Sequence, residues 1–218
     1  MLFFHGNAED VGHNLMLLIT MKETFGASVL AMEYPGYGFF KNQILEERGE
    51  MKLKKKQSAS AEGIKQCAIL TYLHVISPIE EMGMGYDPKN VFVFGRSMGS
   101  GPSSLLARIF KPRALILMSA YKTIKDVVSN MTGYLISRLV AVHFNNLEQM
   151  KHIKCPVLLI HGQADPLILC AHSEALYEQL SEHNPNCVLK LVPHMTHNDF
   201  DLMSDILMPI KEFIDCLE

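Results

Sequence analysis

A serine between two glycines is the residue whose surroundings most favour chemistry. The segment GRSMG, residues 95–99, matches G-x-S-x-G, follows the apolar run Val91–Phe94 and precedes the helical pattern Gly101–Ile109. At a sharp strand-to-helix turn, side chains two positions from the serine would collide with the turn, so glycine is required there. The turn exposes the hydroxyl and aims amides of the helix N-terminus at any negative charge that forms. The motif alone is weak, but its context favours a nucleophile at Ser97 over a glycine-rich turn.

A serine hydroxyl is a poor nucleophile without a base, and the expected base is a histidine held by a carboxylate. In the chain order Ser, Asp or Glu, His, the candidates follow the last two predicted strands. Asp165 lies in the turn after Val157–Ile160, and His194 and His197 both follow Val188–Val192. We prefer His197, which lies at the far end of the loop. His194 follows a proline directly after the strand, a place that also fits a residue that only lines the loop. Asp165, before a proline, also fits a plain turn aspartate.

Backbone N–H donors beside the serine would complete such a site. The segment FFHGNAED, residues 3–10, ends a strand at His5 and then turns. A tight turn there can aim an N–H at the same point as the amide of Met98, and two such donors form an oxyanion hole. We predict that the amides of Asn7 and Met98 are these donors. His5 precedes the serine in a loop-shaping position, so we predict a structural role for it.

Short apolar runs alternate with helical patterns and must position these residues. The runs are nearly continuous in apolar residues, as expected for strands buried on both faces of a parallel sheet. They are Leu2–Phe4, Val29–Glu33, Val91–Phe94, Ala114–Met118, Val157–Ile160 and Val188–Val192. Helical patterns cover Ala61–Ile76, Gly101–Ile109 and the final stretch from Met203 to Ile214. The alternation predicts one α/β domain over residues 1–218, with about six mostly parallel strands flanked by helices and sites at their carboxyl ends.

Two segments interrupt this alternation. Residues 41–60 are polar and charge-rich without an apolar period, which predicts a mobile charged loop. Residues 119–155 are too long for a simple crossover and are apolar and helical, which is consistent with a cap-like insertion over the serine or with helices that fill the ordinary core. The basic run Lys52, Lys54, Lys55 and Lys56 in the first segment could meet anionic lipid headgroups, or it is a solvated loop diluted by nearby glutamates.

Composition excludes several classes of protein. The chain has 218 residues, 48% of them hydrophobic and 20% charged, with a net charge of −3, which gives no general attraction to nucleic acid or membrane. Five cysteines without CxxC spacing are typical of free thiols in a reducing compartment rather than of a zinc site or disulfide framework. No apolar run reaches transmembrane length, and the N-terminus has no basic region typical of a signal peptide. We therefore expect a cytoplasmic protein, with membrane association of a full-length form left open.

Several motifs together resemble the α/β-hydrolase superfamily over essentially the whole chain. Within it, HGNAED, EYPGYG, FGRSMGSGP and THND resemble the Bem46-like group, which includes α/β-hydrolase-domain serine hydrolases that remove palmitate from protein cysteines. The resemblance implies that Ser97 is the nucleophile, Asp165 the acid and His197 the base. It also implies two strands before the first one found here, so the N-terminal strands are expected to be missing and Val29–Glu33 to lie uncovered at a sheet edge. The depalmitoylases of that group carry an acylated cysteine-rich N-terminus, which is not expected from this sequence, so their membrane anchoring is not carried over.

These features predict a serine hydrolase that cleaves an ester or thioester and needs no metal or organic cofactor. Its substrate would be a small molecule or an acylated protein, with an acyl-protein thioesterase and a lipid esterase as the leading forms. One alternative is an aminopeptidase-like amide hydrolase, which needs an acidic pocket for a substrate amine. Another is a catalytically weak binding module on a hydrolase fold.

Overall fold

A computed structural model describes residues 1–41, 44–47, 50–53, 59–132 and 143–217, without the side chains of 41, 44–47, 50–53 and 130–132. The strands are β1 (Leu2–Phe4), β2 (Leu30–Met32), β3 (Ile44–Glu47), β4 (Glu50–Leu53), β5 (Phe92–Arg96), β6 (Ala114–Met118), β7 (Val157–Gly162) and β8 (Cys187–Val192). The helices are α1 (Leu15–Phe25), α2 (Ala61–Ile76), α3 (Ser100–Phe110), α4 (Ile124–Thr132), α5 (Asn146–Met150), α6 (Ala171–Ser181) and α7 (Met208–Asp215).

Six strands form one parallel sheet in the order β2-β1-β5-β6-β7-β8. Strand β6 shows why its apolar run is continuous, since all five of its residues are buried. Leu115 and Leu117 pack into the cluster on one face, with α2, α3, α5 and α6, whereas Ile116 and Met118 pack on the other face with α1 and α7. Alternate side chains therefore feed two cores, and both faces of the sheet are covered by helices. The predicted fold class is confirmed.

Element boundaries follow the sequence patterns closely. Leu2–Phe4, Ala114–Met118 and Ala61–Ile76 coincide with β1, β6 and α2. The final helical stretch is interrupted, because a π-helical turn over Leu202–Leu207 precedes α7. Pro209 at the start of α7 has no N–H to donate to the turn before it, which is consistent with a change of helical register at this point.

The two unusual segments have partly different outcomes. Within residues 41–60, where a charged loop was expected, β3 and β4 form an antiparallel pair in which Ile44 is opposite Leu53. Such a pair needs only backbone hydrogen bonds, so the charged composition of the segment does not prevent it. Within residues 119–155, α5 packs on α3 and α6 as part of the core, and Met150 is fully buried. The stretch 133–142, which would form the rest of a cap, lies outside the described residues.

Strand β2 lies at the edge of the six-stranded sheet, as the family resemblance implied for this segment.

All five cysteines are free thiols, and burial raises the pKa of Cys155 to about 12. Among the described residues, no helix combines the length and the apolar character needed to cross a membrane.

Candidate active site

Ser97 stands on a strained turn between β5 and α3. Its φ is 52°, in the left-handed region that residues with a Cβ rarely adopt. A Cβ on Gly95 would lie 2.4 Å from the carbonyl oxygen of Gly99, and a Cβ on Gly99 would lie 2.1 Å from the carbonyl oxygen of Phe4. Neither position can hold a side chain, so the two glycines allow the turn and its close approach to β1. These close approaches show that the turn requires glycine on both sides of Ser97.

Ser97, His197 and Asp165 form a continuous chain of hydrogen bonds. The Oγ atom of Ser97 is 3.0 Å from Nε2 of His197, and Nδ1 of His197 is 2.8 Å from Oδ2 of Asp165. All three residues are buried, although His197 is 32 positions from Asp165 and 100 positions from Ser97 in the sequence. With Nδ1–H donating to the carboxylate, Nε2 is left as the acceptor for the Ser97 hydroxyl. The arrangement can take a proton from the serine and hold it on the imidazole.

Asp165 is held as an anion by its loop. Its Oδ1 accepts hydrogen bonds from the amides of Leu167 and Ile168, both at 2.9 Å. Burial raises the pKa of Asp165, but hydrogen bonds from His161, His197 and this loop outweigh burial and hold the pKa well below its usual value. The carboxylate therefore stays charged and orients the His197 ring.

His161 is a buried histidine beside the same carboxylate. Its Nε2 is 3.5 Å from Oδ2 of Asp165, but it is also 2.8 Å from the carbonyl oxygen of Ile168. Its Nδ1 is 2.6 Å from the Oγ of Ser173. Both ring nitrogens are thus occupied within the fold, so this histidine fixes the loop of Asp165 and has no nitrogen free for a substrate.

His194, the alternative to His197, lies apart from Ser97. Its Nε2 is 3.0 Å from Oδ2 of Asp205, in the π-helical turn before α7, and its side chain is 68% exposed. Both histidines are in the loop after β8, and only His197 reaches the serine. The structure brings Ser97, Asp165 and His197 together and leaves His194 outside the site.

Asn7 and Met98, the predicted oxyanion donors, are neighbours across the turn. The Tyr37 hydroxyl donates to Oδ1 of Asn7 at 2.6 Å and lies 3.7 Å from the sulfur of Met98. Because a Cβ on Gly99 would also lie 2.9 Å from the carbonyl oxygen of His5, the start of α3 packs directly on the turn that carries Asn7. Tyr37 has no role in the sequence prediction, although it belongs to the EYPGYG motif that was noted there.

His5 is built into the loop next to Asn7. Its Nε2 is 3.0 Å from Oε1 of Glu33 and its Nδ1 is 2.8 Å from the carbonyl oxygen of Gly6. The Tyr34 hydroxyl donates to the backbone oxygen of His5 at 2.7 Å. These contacts agree with the structural role predicted for His5. Among the described residues, no group of three or more His, Cys, Asp or Glu side chains could hold a metal ion.

Comparisons with known proteins agree with this architecture. The family model for phospholipases and carboxylesterases matches residues 51–218, which is more than half of the chain. Protein L404 of Acanthamoeba polyphaga mimivirus, named as an alpha/beta hydrolase, is 28% identical over 98% of this chain and 72% of its own length. The human alpha/beta hydrolase domain-containing protein 17C is 27% identical over 98% of this chain, which spans only 57% of that relative's length.

A solved structure gives the same fold. The monoacylglycerol lipase of Paleococcus ferrophilus superposes with a TM-score of 0.66 at 18% identity, and the match covers all of this chain and 94% of the lipase. At this identity the likeness concerns the fold alone. The match of the family model over residues 51–218 shows the family. The chain belongs to the phospholipase/carboxylesterase family of the α/β hydrolases.

Proposed function

We propose that this protein is a serine hydrolase that cleaves carboxylic esters or thioesters at Ser97. The observation that carries the proposal is the hydrogen-bonded chain from Ser97 through His197 to Asp165, on a turn strained to present the serine. Burial of a charged carboxylate is costly, and carboxylates with a perturbed pKa, such as Asp165, cluster at active sites. The family match supports hydrolysis in general, and the residues support the serine mechanism.

The reaction proceeds in two steps. His197 accepts the hydroxyl proton at Nε2 as the Oγ of Ser97 attacks the acyl carbonyl carbon, and the backbone amides of Asn7 and Met98 hold the resulting oxyanion. Asp165 stabilises the imidazolium, which then gives its proton to the leaving alcohol or thiol. In the second step His197 takes a proton from water as the water oxygen attacks the acyl carbon, and His197 then gives this proton to the Oγ of Ser97 as the bond between Oγ and the acyl carbon breaks and the acid leaves.

Exposed apolar side chains in loops at the carboxyl-end edge of the sheet support an acyl-chain substrate. Phe39 follows β2 and is fully exposed, and Leu167 and Leu169 follow β7 and are partly exposed. The carboxyl ends of parallel strands lie at one edge of the sheet, so these side chains share the edge that carries Ser97. Exposed apolar surface at this edge suits a fatty-acyl ester or an acylated protein cysteine better than a charged amine.

Peripheral contact with a membrane from a cytoplasmic location fits the same substrate class. Exposed Phe39 is the described residue that supports it, because an aromatic side chain at this edge can enter a lipid interface. Lys54, Lys55 and Lys56 lie outside the described residues, and Lys52 lies in β4 without a described side chain. The fraction of protein that sediments with anionic phosphatidylserine vesicles should be lower for Phe39→Asp than for the wild type. Equal fractions would contradict a membrane contact through Phe39.

Labelling with a fluorophosphonate, which reacts with activated serines, tests the function. Intact mass should show one adduct on the folded chain, none on Ser97→Ala, and an unchanged adduct on Ser181→Ala, a control at the exposed end of α6. Panels of p-nitrophenyl esters and acyl thioesters of increasing chain length should then show turnover that also requires Ser97. Folded protein that takes up no probe would contradict the proposal.

A further inference from the structure

Arg96, the residue before Ser97, has a buried side chain that reaches the loop of the base. Its Nη2 donates to the backbone oxygen of His197 at 2.9 Å and to Oδ1 of Asn198 at 2.8 Å. Only 9% of the Arg96 side chain is exposed. The guanidinium therefore holds the backbone of His197, whose ring faces Ser97, through a hydrogen bond.

The other terminal nitrogen of the same guanidinium contacts Glu9, in the turn that carries Asn7. This nitrogen, Nη1, forms an ion pair with Oε1 of Glu9. The second carboxylate oxygen of Glu9 accepts from the amide of Gly6 at 3.2 Å and from Nδ2 of Asn14 at 3.0 Å. Glu9 thus closes the turn over residues 6–9, in which Ala8 has a φ of 59°. This turn carries the proposed oxyanion donor.

A guanidinium suits this place for geometric reasons. Its planar donors can bond two partners in different directions at once, which the single ammonium of a lysine cannot do from one position. A buried charge must be paired, and removal of one partner leaves the other charge uncompensated. The ring of Phe200 lies 5.9 Å from the centre of the guanidinium and adds a weaker contact.

We infer that Arg96 and Glu9 are positioning residues that fix the base and the oxyanion donor relative to each other. The backbone of Arg96 carries Ser97, its Nη2 holds the His197 loop, and its Nη1 holds the Glu9 turn, so one residue joins all three parts of the site. The inference rests on the proposed serine hydrolysis. Neither residue touches the reacting atoms, and both act through the segments that they hold.

Positioning makes a prediction that a purely stabilising role does not. The fluorophosphonate counts the competent sites, so kcat can be expressed per titrated serine and is then independent of the fraction that has unfolded. For Arg96→Met, kcat per titrated site should fall about 10- to 100-fold on a p-nitrophenyl ester, with KM within about twofold, because small misplacements are costly in the transition state. Arg96→Lys should recover only part of the loss.

Glu9 and a surface arginine complete the design. Glu9→Gln keeps the shape and an acceptor for Gly6 but loses the charge, so kcat per site should fall about 3- to 10-fold. Arg108→Met is the control, because Arg108 is on the outer side of α3 and bonds only Gln149 among the side chains described. Its kcat should equal that of the wild type. Since Glu9→Gln is the milder change, it supplies the test if Arg96→Met does not fold.

The outcomes separate this inference from the proposed function. If the wild type is labelled and kcat per site is reduced in the Arg96 or Glu9 variants, the positioning role is supported. If the wild type is labelled but kcat per site in Arg96→Met stays within twofold of the wild-type value, the inference is overturned. Glu9→Gln supplies this test where Arg96→Met does not fold. A change in melting temperature does not alter either conclusion. Wild-type protein that takes up no probe contradicts the serine hydrolase itself.

Discussion

Two histidines in one loop show what separates a reactive pair from a surface pair. His194 and His197 both follow β8 and each lies within 3.0 Å of an aspartate oxygen. The second ring nitrogen of His197 is 3.0 Å from the Oγ of Ser97, and the ring is buried. The ring of His194 is mostly exposed, and its partner Asp205 lies within the π-helical turn that precedes α7.

The difference comes from the element that supplies each aspartate. Asp165 follows β7, whose carboxyl end lies at the same edge of the sheet as the turn of Ser97. Asp205 instead lies in the π-helical turn and accepts the amide of Asp201, so it organises the start of that turn. A His–Asp pair alone is therefore not sufficient for the proposed proton transfer, which also needs the place beside Ser97 that only the His197–Asp165 pair has.

Removal of each ring gives the largest expected contrast. His197→Asn should lower kcat/KM for a p-nitrophenyl ester by about 10⁵- to 10⁶-fold, because Ser97 loses its base. His194→Asn should stay within about threefold of the wild type. Steady-state kinetics on both variants, with circular dichroism to show that each is folded, measures the contrast, and a large loss in His194→Asn would reverse the assignment.

Neutralising the two aspartates should separate rate from stability. Asp165→Asn should lower kcat by about 10⁴-fold, since the amide favours the wrong tautomer of His197. Asp205→Asn should leave kcat nearly unchanged and lower the free energy of unfolding by about 1 kcal/mol, through weaker bonds to His194 and Asp201. Kinetics together with urea unfolding tests both; equal kcat in the two variants would contradict the comparison.

Acid unfolding sharpens the electrostatic side of the same contrast. The pKa of Asp165 is lower in the folded chain than its ordinary value of 3.8, so its charge contributes stability that is fully present well above pH 3.8. That contribution is lost as the pH falls through the folded pKa. Urea titrations between pH 6 and pH 2 should therefore show a smaller loss of stability for Asp165→Asn than for the wild type. Parallel curves would mean that the carboxylate is not held as an anion.

His161 provides the smallest and finest test. It contacts the same carboxylate as His197 but has both nitrogens occupied, so Ser173→Ala should act on the loop alone. We expect the free energy of unfolding to fall by about 1–3 kcal/mol, because a buried ring nitrogen loses its partner, and kcat to fall by no more than a few fold. A loss near that of His197→Asn would show that His161 takes part in the reaction.

Much of the fold was predictable because its central strands, such as β1, β6 and β7, are buried on both faces. A run such as Ala114–Met118 has no alternation to misjudge, and it coincides with β6. Ser97 was predictable because a Cβ on Gly95 or Gly99 would clash with backbone atoms, as close as 2.1 Å, so the turn requires glycines that can be recognised in the sequence. The antiparallel pair of β3 and β4 was missed, because pairing outside the main sheet needs no apolar pattern.

The support around the site could not be predicted from local sequence. Arg96 and Glu9 are 87 positions apart, and each has an ordinary local context. The parallel pairing of β5 with β1, in which Gly95 is opposite Phe4, brings the end of β5 next to the turn of Glu9. The choice between His194 and His197 likewise depended on which loop position faces the serine, and spacing favoured His197 without deciding it.

The rate of fluorophosphonate labelling at Ser97 tests the central claim most directly. Peptide mass analysis locates the adduct, and the second-order rate constant is compared among the wild type, His197→Asn and His194→Asn. The account predicts one adduct on Ser97, formed at least about 10³-fold more slowly in His197→Asn and at the wild-type rate in His194→Asn. An adduct on another serine, or a rate that does not depend on His197, would contradict it.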